Sequence, residues 1–549
     1  MNITNTTDGS SFDGGEGNDT FNVDDVDTYS VVGGAGDDEF TTAVALKATL
    51  FGGSGTDTLT IDGAGALTMD STFLMNSIEE LDLTAVNDVL TLDDESFASN
   101  KTMILIGNAA ADTLKIVGDN TSGATIDGSG LTIKSGSTVT IQYLGGTKAD
   151  TITGGVAAET FFHSLGADVI EGGATGTDTF SITDSTLTPT GSTNAATGVV
   201  INLGTTAIVG ASVTAQTSKF TSGGISVAGG TLGYAYDANV ATNSSTVQTL
   251  SDIEDIIGGD GVDYIVGSDT DNVINGNAGA DYIDGGDGND TITVDSSAES
   301  SSDKMHGGAG EDILSVVGTT TVTTTDASIT GIETVTLAGT GDIDVILLGQ
   351  TENFTINANT GSNEITGGQG DDTIALVVGG SDIVHFGAAA TNGYDTITGF
   401  DTTEDHLNLD VVMTGVTNLV AITGHAASEG DTDFVDNEAY VYADGATASA
   451  GTGTATITDY TNLTQVADFL SDAQRDNTSG TSNDTADGDE AMFVINDLVG
   501  DKTYVYHFEE DGVAGDASSA TDTISATELK LLAVVTEESG GALVAADIV

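Results

Sequence analysis

The fold is decided by residues 258–293, which read GGDGVDYIV GSDTDNVIN GNAGADYID GGDGNDTIT. Each block of nine follows the pattern G-G-x-G-x-D-x-U-x, in which U is apolar, and the second block is an imperfect copy. The four units follow one another without a gap. A fixed short period of this kind indicates stacked structural repeats, because each unit is too small to bury an apolar residue alone.

Further copies of the unit occur on both sides of this tandem. Clean copies begin at Gly14, Gly33, Gly52, Gly307 and Gly367. A degraded tandem covers residues 145–180. The first three clean copies start 19 residues apart, so we expect their loops to stack on one edge with Asp19, Asp38 and Asp57 in one column.

The unit divides into a turn and a short strand. The six glycine-rich residues make a tight turn with positive φ angles, which glycine adopts at little cost. The x-U-x triplet forms a strand whose middle side chain points inward. Two units then make one coil of about 18 residues, and successive coils form a parallel β-solenoid. The aspartate at the sixth position faces the neighbouring turn, where carboxylate and carbonyl oxygens suit calcium.

The candidate calcium ligands are the carboxylates of these turns and the carbonyls of their glycines. They are Gly14, Gly15, Asp19, Gly33, Gly34, Asp38, Gly52, Gly53, Asp57, Asp168, Asp178, Gly258, Gly259, Asp263, Gly276, Asp281, Gly285, Gly286, Asp290, Gly307, Gly308, Asp312, Gly367, Gly368 and Asp372. No site is expected where Ala157, Ala158 and Glu159 replace the consensus. The alternatives are solvated loop aspartates, or a Gly/Asp-rich linker, although a linker has no reason to keep an apolar eighth residue.

The repeats resemble those of the RTX (repeats-in-toxin) family of Gram-negative secreted proteins. The resemblance implies a mostly β fold, a calcium-stapled right-handed parallel β-solenoid (β-roll), here with a small C-terminal α+β domain. It also implies multiple structural Ca²⁺ ions and export by a type I system. In character the chain is closest to RTX-type bacterial S-layer and surface proteins.

Four segments are predicted from the distribution of repeats. Residues 1–180 form an N-terminal solenoid with isolated and degraded repeats, and 181–250 form a Thr/Ser/Gly-rich β insertion. Residues 251–410 form a second array, and 411–549 form an α+β domain that resembles the C-terminal domains carrying the type I secretion signal. Three stretches with an I-E-x-U core, at 77–83, 250–259 and 329–337, are interpreted as coils without calcium turns.

The C-terminal segment shows mixed periodicity. Residues 438–444, 490–497 and 502–511 alternate as strands do. Residues 463–476 have a helical apolar face, and 525–535 are predicted to form a helix because Ser525 and Glu528 make a capping box. Residues 511–528 faintly resemble an EF-hand loop, but an acidic loop that caps a helix is the preferred interpretation.

Composition excludes several classes of protein. The chain has 85 Asp and Glu against 10 Lys and Arg, a formal charge of −75, which argues against binding to nucleic acid or anionic membranes. There is no cysteine, so disulfides and thiolate metal sites are excluded. No apolar run is long enough to span a membrane, and the stretch MNITNTTDGSSFDGG has no Sec-type features. The chain contains neither H-E-x-x-H nor G-x-S-x-G, and its histidines have no ligand-like spacing.

Together these features predict a structural protein with no catalytic site. The preferred function is a secreted, calcium-dependent, self-assembling subunit of S-layer type on a bacterial cell surface. An extracellular filament or matrix protein, or an adhesin, is the alternative, and an RTX enzyme of unknown type is a third. The expected partners are other copies of the chain in a lattice or filament, the type I secretion machinery and a cell-surface polysaccharide, without nucleic acid or direct membrane insertion.

Overall fold

The computed structural model describes residues 1–3, 7–63, 65–84, 89–97, 102–108, 112–118, 122–164, 166–173, 175–182, 199–203, 233–237, 248–295, 303–318, 321–323, 328–386, 393–408, 418–422, 438–442, 448–450, 453–455, 461–474, 490–497, 502–509, 529–537, 543 and 547. The chain divides into two compact units. Unit 1 comprises Met1–Ile292 and Gly308–Gly310, and unit 2 comprises Thr293–Gly307 and Glu311–Val549. No helix in these ranges has the length and apolar character needed to span a membrane.

Short strands dominate both units. The first half of the chain contains β1 (Asn2–Ile3), β2 (Ser10–Glu16), β3 (Thr20–Val23), β4 (Tyr29–Ala35), β5 (Glu39–Thr42), β6 (Thr49–Ser54), β7 (Thr58–Ile61), β8 (Ala66–Thr68), β9 (Leu74–Asn76), β10 (Glu80–Asp82), β11 (Val89–Asp93), the one-turn helix α1 (Asp94–Phe97), β12 (Thr102–Ile106), β13 (Thr113–Val117), β14 (Thr125–Asp127), β15 (Gly130–Ile133), β16 (Thr140–Leu144), β17 (Thr151–Thr153), β18 (Glu159–Phe162), β19 (Val169–Glu171), β20 (Thr179–Ser181), β21 (Val199–Asn202), β22 (Gly233–Asp237), β23 (Gln248–Ser251), β24 (Asp255–Ile257), β25 (Tyr264–Val266), β26 (Val273–Asn275), β27 (Tyr282–Asp287) and β28 (Thr291–Val294).

The second half contains β29 (Lys304–Ala309), β30 (Ile313–Val317), β31 (Thr321–Thr323), β32 (Ile329–Thr330), β33 (Thr334–Ala338), β34 (Asp344–Ile346), β35 (Thr355–Asn357), β36 (Glu364–Thr366), β37 (Thr373–Ala375), β38 (Ile383–His385), β39 (Asp395–Phe400), β40 (His406–Asn408), β41 (Asn418–Ile422), β42 (Glu438–Tyr442), β43 (Ala448–Ala450), β44 (Gly453–Ala455), α2 (Leu463–Gln474), β45 (Glu490–Asp497), β46 (Lys502–Glu509) and β47 (Leu529–Glu537).

The strands of successive coils pair in parallel and stack like residues on like. In the N-terminal part, Phe21 pairs with Phe40, and Phe40 with Leu59. All three side chains are at most 2 % exposed, and the two rings stack 5.3 Å apart. In the tandem, Ile265 pairs with Ile283 one coil later. The apolar residue of each unit thus builds a continuous column, which confirms the predicted mostly β, parallel β-solenoid class.

The parallel order of unit 1 is interrupted once. Strand β22 lies between β21 and β23 and pairs antiparallel with both. On the edges that face away from β22, β23 pairs in parallel with β19, and β21 pairs in parallel with β25. These strands are what the structure describes of the predicted β insertion. The remainder of 181–250 lies outside the described residues, apart from the first two residues and Leu203.

The C-terminal part of unit 2 combines one helix with longer strands. Helix α2 is capped by Asn462, whose Oδ1 accepts the Thr464 N–H at 3.1 Å. It buries Val466 and Leu470, as the helical pattern predicted. Strands β45 and β46 pair antiparallel, in the segments predicted as strands. Residues 511–528, for which an acidic loop that caps a helix is the preferred interpretation, lie outside the described residues.

The helix predicted over 525–535 is wrong from Leu529 onward. Those residues form β47, which pairs antiparallel with β46 and in parallel with β39. Val534 and Val535 are buried, with strands on both sides. A short apolar run fits a helix and a fully buried strand equally well, so tertiary pairing decides between them.

Replacing Gly34 with alanine should test how tightly the turns stack. Gly34 has φ +117°, and a Cβ atom there would collide with the carbonyl oxygen of Gly15 in the coil below. Gly15 has φ +96° with no atom within 4 Å of its Cβ position, so it is the matched control. We expect Gly15→Ala to cost about 1–2 kcal/mol through backbone strain alone, and Gly34→Ala to cost roughly 2–4 kcal/mol. Denaturant unfolding at saturating calcium measures both, and equal losses would contradict this stacking.

Candidate metal centre

The aspartates of the three N-terminal turns form one hydrogen-bonded column. The backbone N–H of Asp19 donates to Oδ1 of Asp38 at 2.7 Å, and the N–H of Asp38 donates to Oδ1 of Asp57 at 2.8 Å. Each step covers 19 residues, which is one coil. The sixth residue of each unit is therefore held by the coil next to it, and like carboxylates are stacked at the spacing of neighbouring strands.

The second carboxylate oxygen of these aspartates has no hydrogen-bond partner. Oδ2 of Asp19, Asp38 and Asp57 is buried and accepts no hydrogen bond. It also faces further oxygen: a Cβ built on Gly14 would lie 2.5 Å from Asp19 Oδ2 and 2.6 Å from the Gly33 carbonyl oxygen. A buried anionic oxygen beside a carbonyl oxygen is strongly destabilised unless a cation lies between them. The donor set is all oxygen, which fits calcium.

The conformation of the second residue distinguishes two kinds of turn. In what we call open turns this residue has positive φ, as at Gly15, Gly34, Gly53 and Gly368, and the aspartate Oδ2 has no partner. In what we call closed turns its N–H donates to the carboxylate of the same turn. Gly259 donates to Asp263 Oδ2 at 2.7 Å, and Gly146 donates to Asp150 Oδ2 at 2.6 Å. Open turns leave the oxygen to a cation, whereas closed turns satisfy it internally.

The tandem at 258–293 carries turns on two edges, nine residues apart in sequence. On one edge the N–H of Asp263 donates to Asp281 Oδ1 at 2.7 Å, and on the other the N–H of Asn272 donates to Asp290 Oδ1 at 2.8 Å. Both steps cover 18 residues, so two units make one coil as predicted. In unit 2, Asp372 Oδ1 accepts the Phe354 N–H at 2.8 Å, and its Oδ2 has no partner.

The structure places the predicted aspartates in equivalent positions but not in equivalent surroundings. All of them except Asp19 are at most 1 % exposed: Asp38, Asp57, Asp168, Asp178, Asp263, Asp281, Asp290, Asp312 and Asp372. Asp168 differs, because its Oδ2 accepts hydrogen bonds from Ser164 Oγ and Gln248 Nε2, both at 2.6 Å. Their role as metal ligands stays a prediction, with Asp19, Asp38, Asp57 and Asp372 having the surroundings that best fit a cation.

Burial raises the pKa of several of these carboxyls in the ion-free protein. Desolvation is the main cause, and it raises the pKa of Asp178 and Asp372 to about 7 and that of Asp382 to about 6. Neighbouring carboxylates add to the effect, Glu159 at Asp178 and Asp395 at Asp372. The same burial raises the pKa of Glu159, at the sixth position of the degraded turn, to about 7. These positions therefore favour either a proton or a metal ion.

Acid should stabilise the calcium-free protein. Between about pH 4 and pH 7 the unfolded chain has lost protons that folded Asp178 and Asp372 retain, so stability falls as pH rises through this window and levels off above it. Circular dichroism in calcium-free buffer should show more β-structure at pH 5 than at pH 8. Asp372→Asn should weaken the dependence. With calcium the trend should reverse, since protons compete with the metal; a larger calcium-free signal at pH 8 would contradict this account.

Two sets of residues escaped the sequence analysis. The fifth residue of each unit makes a second ladder, in which Asn18 Oδ1 accepts the Asp37 N–H and Asp37 Oδ1 accepts the Thr56 N–H, both at 2.9 Å. The frequent Asn or Asp at this position was the available signal. The second set is the glutamates of the I-E-x-U segments, whose register against the aspartate columns is visible only in three dimensions.

Backbone oxygens are needed to complete any site. Among the described ranges, no three Asp, Glu or His side chains converge in a way that could hold a metal ion by themselves. The glycine carbonyls beside the aspartates must therefore supply part of the ligand set. The nonapeptide pattern agrees with this, because its first two positions are glycine and their carbonyl oxygens can serve as ligands.

Comparison with known families agrees with this geometry. Residues 143–170, 257–292, 297–315 and 355–376 match the RTX calcium-binding nonapeptide repeat, in four copies. No curated protein matches the chain. The three N-terminal turns lie outside the matched segments, yet they have the open geometry described above. The chain therefore carries RTX calcium-binding repeats, a type typical of proteins that type I systems secrete.

Proposed function

We propose that this protein is a secreted, calcium-dependent structural protein that assembles with copies of itself on a bacterial surface, as an S-layer subunit does. The observation that carries the proposal is the column of open turns with buried carboxylate oxygens that lack a hydrogen-bond partner. Such oxygens occur in both units, in the column of Asp19, Asp38 and Asp57 and in the single open turn of Asp372. A chain built this way depends on calcium for its fold, and calcium is abundant only outside cells.

A structural role is favoured because stacked coils account for most of the described residues. The repeats supply turns and strands, and the apolar columns fill the interior, which leaves little of the described chain for a catalytic domain. The motifs of zinc proteases and lipases are missing from the sequence. An enzyme is therefore the weakest of the three hypotheses, after the S-layer subunit and the alternative of a filament or matrix protein or an adhesin.

Self-association is supported by an open strand edge. Strand β2 pairs with β4 on one side, and no other described strand pairs with it. Its residues are exposed or partly exposed. Strand edges of this kind are templates for pairing with another chain. The charge of −75 adds a requirement for further cations at contacts between copies.

Export and location follow from the repeat type. We infer that a type I system exports the chain and reads a signal in its C-terminal segment. Calcium in the surroundings of the cell would then fold the exported chain. A cell-surface polysaccharide is the proposed anchor.

Electron microscopy of the purified protein tests the proposal. After removal of calcium and its return at millimolar concentration, we expect ordered two-dimensional lattices, and none in magnesium at the same ionic strength. Fibres would favour the filament or matrix alternative. Single particles at all calcium concentrations would overturn self-assembly and favour an adhesin.

A further inference from the structure

The three I-E-x-U segments share one local structure. Each begins with a residue of positive φ, continues with a buried isoleucine and then presents a glutamate. The triplets are Ser77, Ile78 and Glu79, then Asp252, Ile253 and Glu254, and finally Gly331, Ile332 and Glu333. The φ angles at the first positions are 52°, 50° and 59°. Two of the three first residues are not glycine, so this conformation costs energy that the fold recovers elsewhere.

In each case the glutamate continues an aspartate column. Oε2 of Glu79 accepts the N–H of Asp57 at 2.9 Å. Glu254 accepts the N–H of Asp178, and Glu333 accepts the N–H of Asp312, both at 2.8 Å. The glutamate carboxylate thus takes the position that the aspartate of a further repeat would occupy.

Backbone hydrogen bonds join each of these segments to the aspartate whose N–H the glutamate accepts. The N–H groups of Glu79 and Glu80 both donate to the carbonyl oxygen of Asp57, at 2.9 and 3.0 Å. The corresponding pairs, Glu254 with Asp255 and Glu333 with Thr334, donate in the same way to Asp178 and Asp312, at 2.9 to 3.1 Å. Three separate segments therefore repeat one geometry.

The first residue of each triplet supplies a carbonyl oxygen to the turn. A Cβ atom built on Gly33 would contact Asp38 Oδ2 and the carbonyl oxygen of Gly52 in the next coil. A Cβ atom built on Gly52 would likewise contact Asp57 Oδ2 and the carbonyl oxygen of Ser77. Asp252 O beside Gly172 and Gly331 O beside Gly307 repeat this arrangement.

A neutral residue ends a different column, and the comparison is informative. The column of Asp150 and Asp168 meets Gln248 in the next coil. Gln248 is fully buried and donates its amide to Asp168 Oδ2, so that oxygen is satisfied without a metal. Glu79 has no amide N–H to donate, and Asp57 Oδ2 beside it is buried without a partner. A carboxyl group at this place therefore adds oxygen ligands beside an oxygen that lacks a partner.

We propose that these triplets are terminal ligand units, which complete the calcium site of a turn whose neighbouring coil carries no repeat at that position. Glu79 with the Ser77 carbonyl would bind the ion shared with Asp57, and Glu254 and Glu333 would do so at Asp178 and Asp312. The ligand class is a divalent cation bound by oxygen. This inference rests on the proposed calcium binding, and it assigns to three residues outside the nonapeptides a share in that binding.

Calcium binding by the full-length chain tests the inference. In E79Q/E254Q/E333Q each glutamine keeps a carbonyl oxygen for the aspartate N–H and loses only the charge. The control E16Q/E39Q/E404Q removes the same total charge from exposed side chains. Equilibrium dialysis with radioactive calcium should show three fewer tightly bound ions, or at least tenfold weaker binding of three, in the first variant alone.

The outcomes separate this inference from the proposed function. Equal numbers and affinities in both variants would overturn the terminal ligand units and leave the calcium-dependent fold intact. A folded wild-type chain that binds no calcium would overturn both. If the first variant fails to fold at the calcium concentration that folds the wild type, folding restored by tenfold more calcium supports the inference. Failure at every calcium concentration would overturn the inference, because loss of a ligand's charge weakens calcium binding and more calcium should compensate for it.

Discussion

Chelation of calcium is expected to abolish most of the parallel β-structure of both units. The reason is that the columns of stacked carboxylates repel one another until cations lie between them. Oδ2 of Asp38 and Asp57 in unit 1 and of Asp372 and Asp382 in unit 2 is buried without a partner. The energy of metal binding is then energy of folding.

Circular dichroism measures this effect directly. The β signal should be lost in excess chelator and return in millimolar calcium, since extracellular calcium modules bind at about 10⁻⁴–10⁻³ M. Magnesium at equal concentration should restore much less, because it demands a smaller and more regular ligand cage. A full β signal in chelator would show that the apolar columns alone hold the solenoid and would refute the proposed dependence.

The solenoid could be predicted because the nine-residue period recurs in several separate parts of the chain. An apolar residue at the eighth position and an aspartate at the sixth recur together, and both columns follow from stacking. The position of Phe21 on Phe40, and of Asp19 beside Asp38, needed only the 19-residue spacing.

The state of each turn could not be predicted from the same pattern. Gly14–Gly15 and Gly258–Gly259 are identical in sequence, yet the first pair forms an open turn and the second a closed one. Glycine permits both values of φ, so the neighbouring coil decides. The local sequence therefore identifies candidate ligands. Contacts between coils decide whether each turn is open and leaves its carboxylate oxygen free of internal hydrogen bonds.

The strand β47 and the terminal glutamates were missed for a related reason. The run at 529–535 is apolar except for Lys530, and the strands that it pairs with, β39 and β46, lie earlier in the chain, β39 far away in sequence. Glu79 lies 22 residues after Asp57, a step lengthened by the residues between β7 and β10. Irregular steps of this kind hide the register that a constant period reveals.

Asp38→Asn should raise the calcium concentration required for folding of unit 1 by roughly 10- to 100-fold, because calcium affinity follows the number of charged ligands. Asp38 is the middle member of its column, so its carboxylate borders the turns on both sides. Asparagine keeps Oδ1 to accept the Asp19 N–H, and it replaces the buried, unpartnered Oδ2 by an amide. The substitution therefore removes the charge without removing the ladder.

The neighbouring residue provides the control. Asp37 is exposed, and its Oδ1 accepts the Thr56 N–H at 2.9 Å, a role that Asn18 already performs one coil earlier. Asp37→Asn makes the same change of charge one residue away and should leave the calcium midpoint almost unchanged. Calcium titrations followed by circular dichroism compare the two variants. If both midpoints shift equally, the effect is one of overall charge and Asp38 is not a ligand; a shift confined to Asp38→Asn means that the buried oxygen binds the ion.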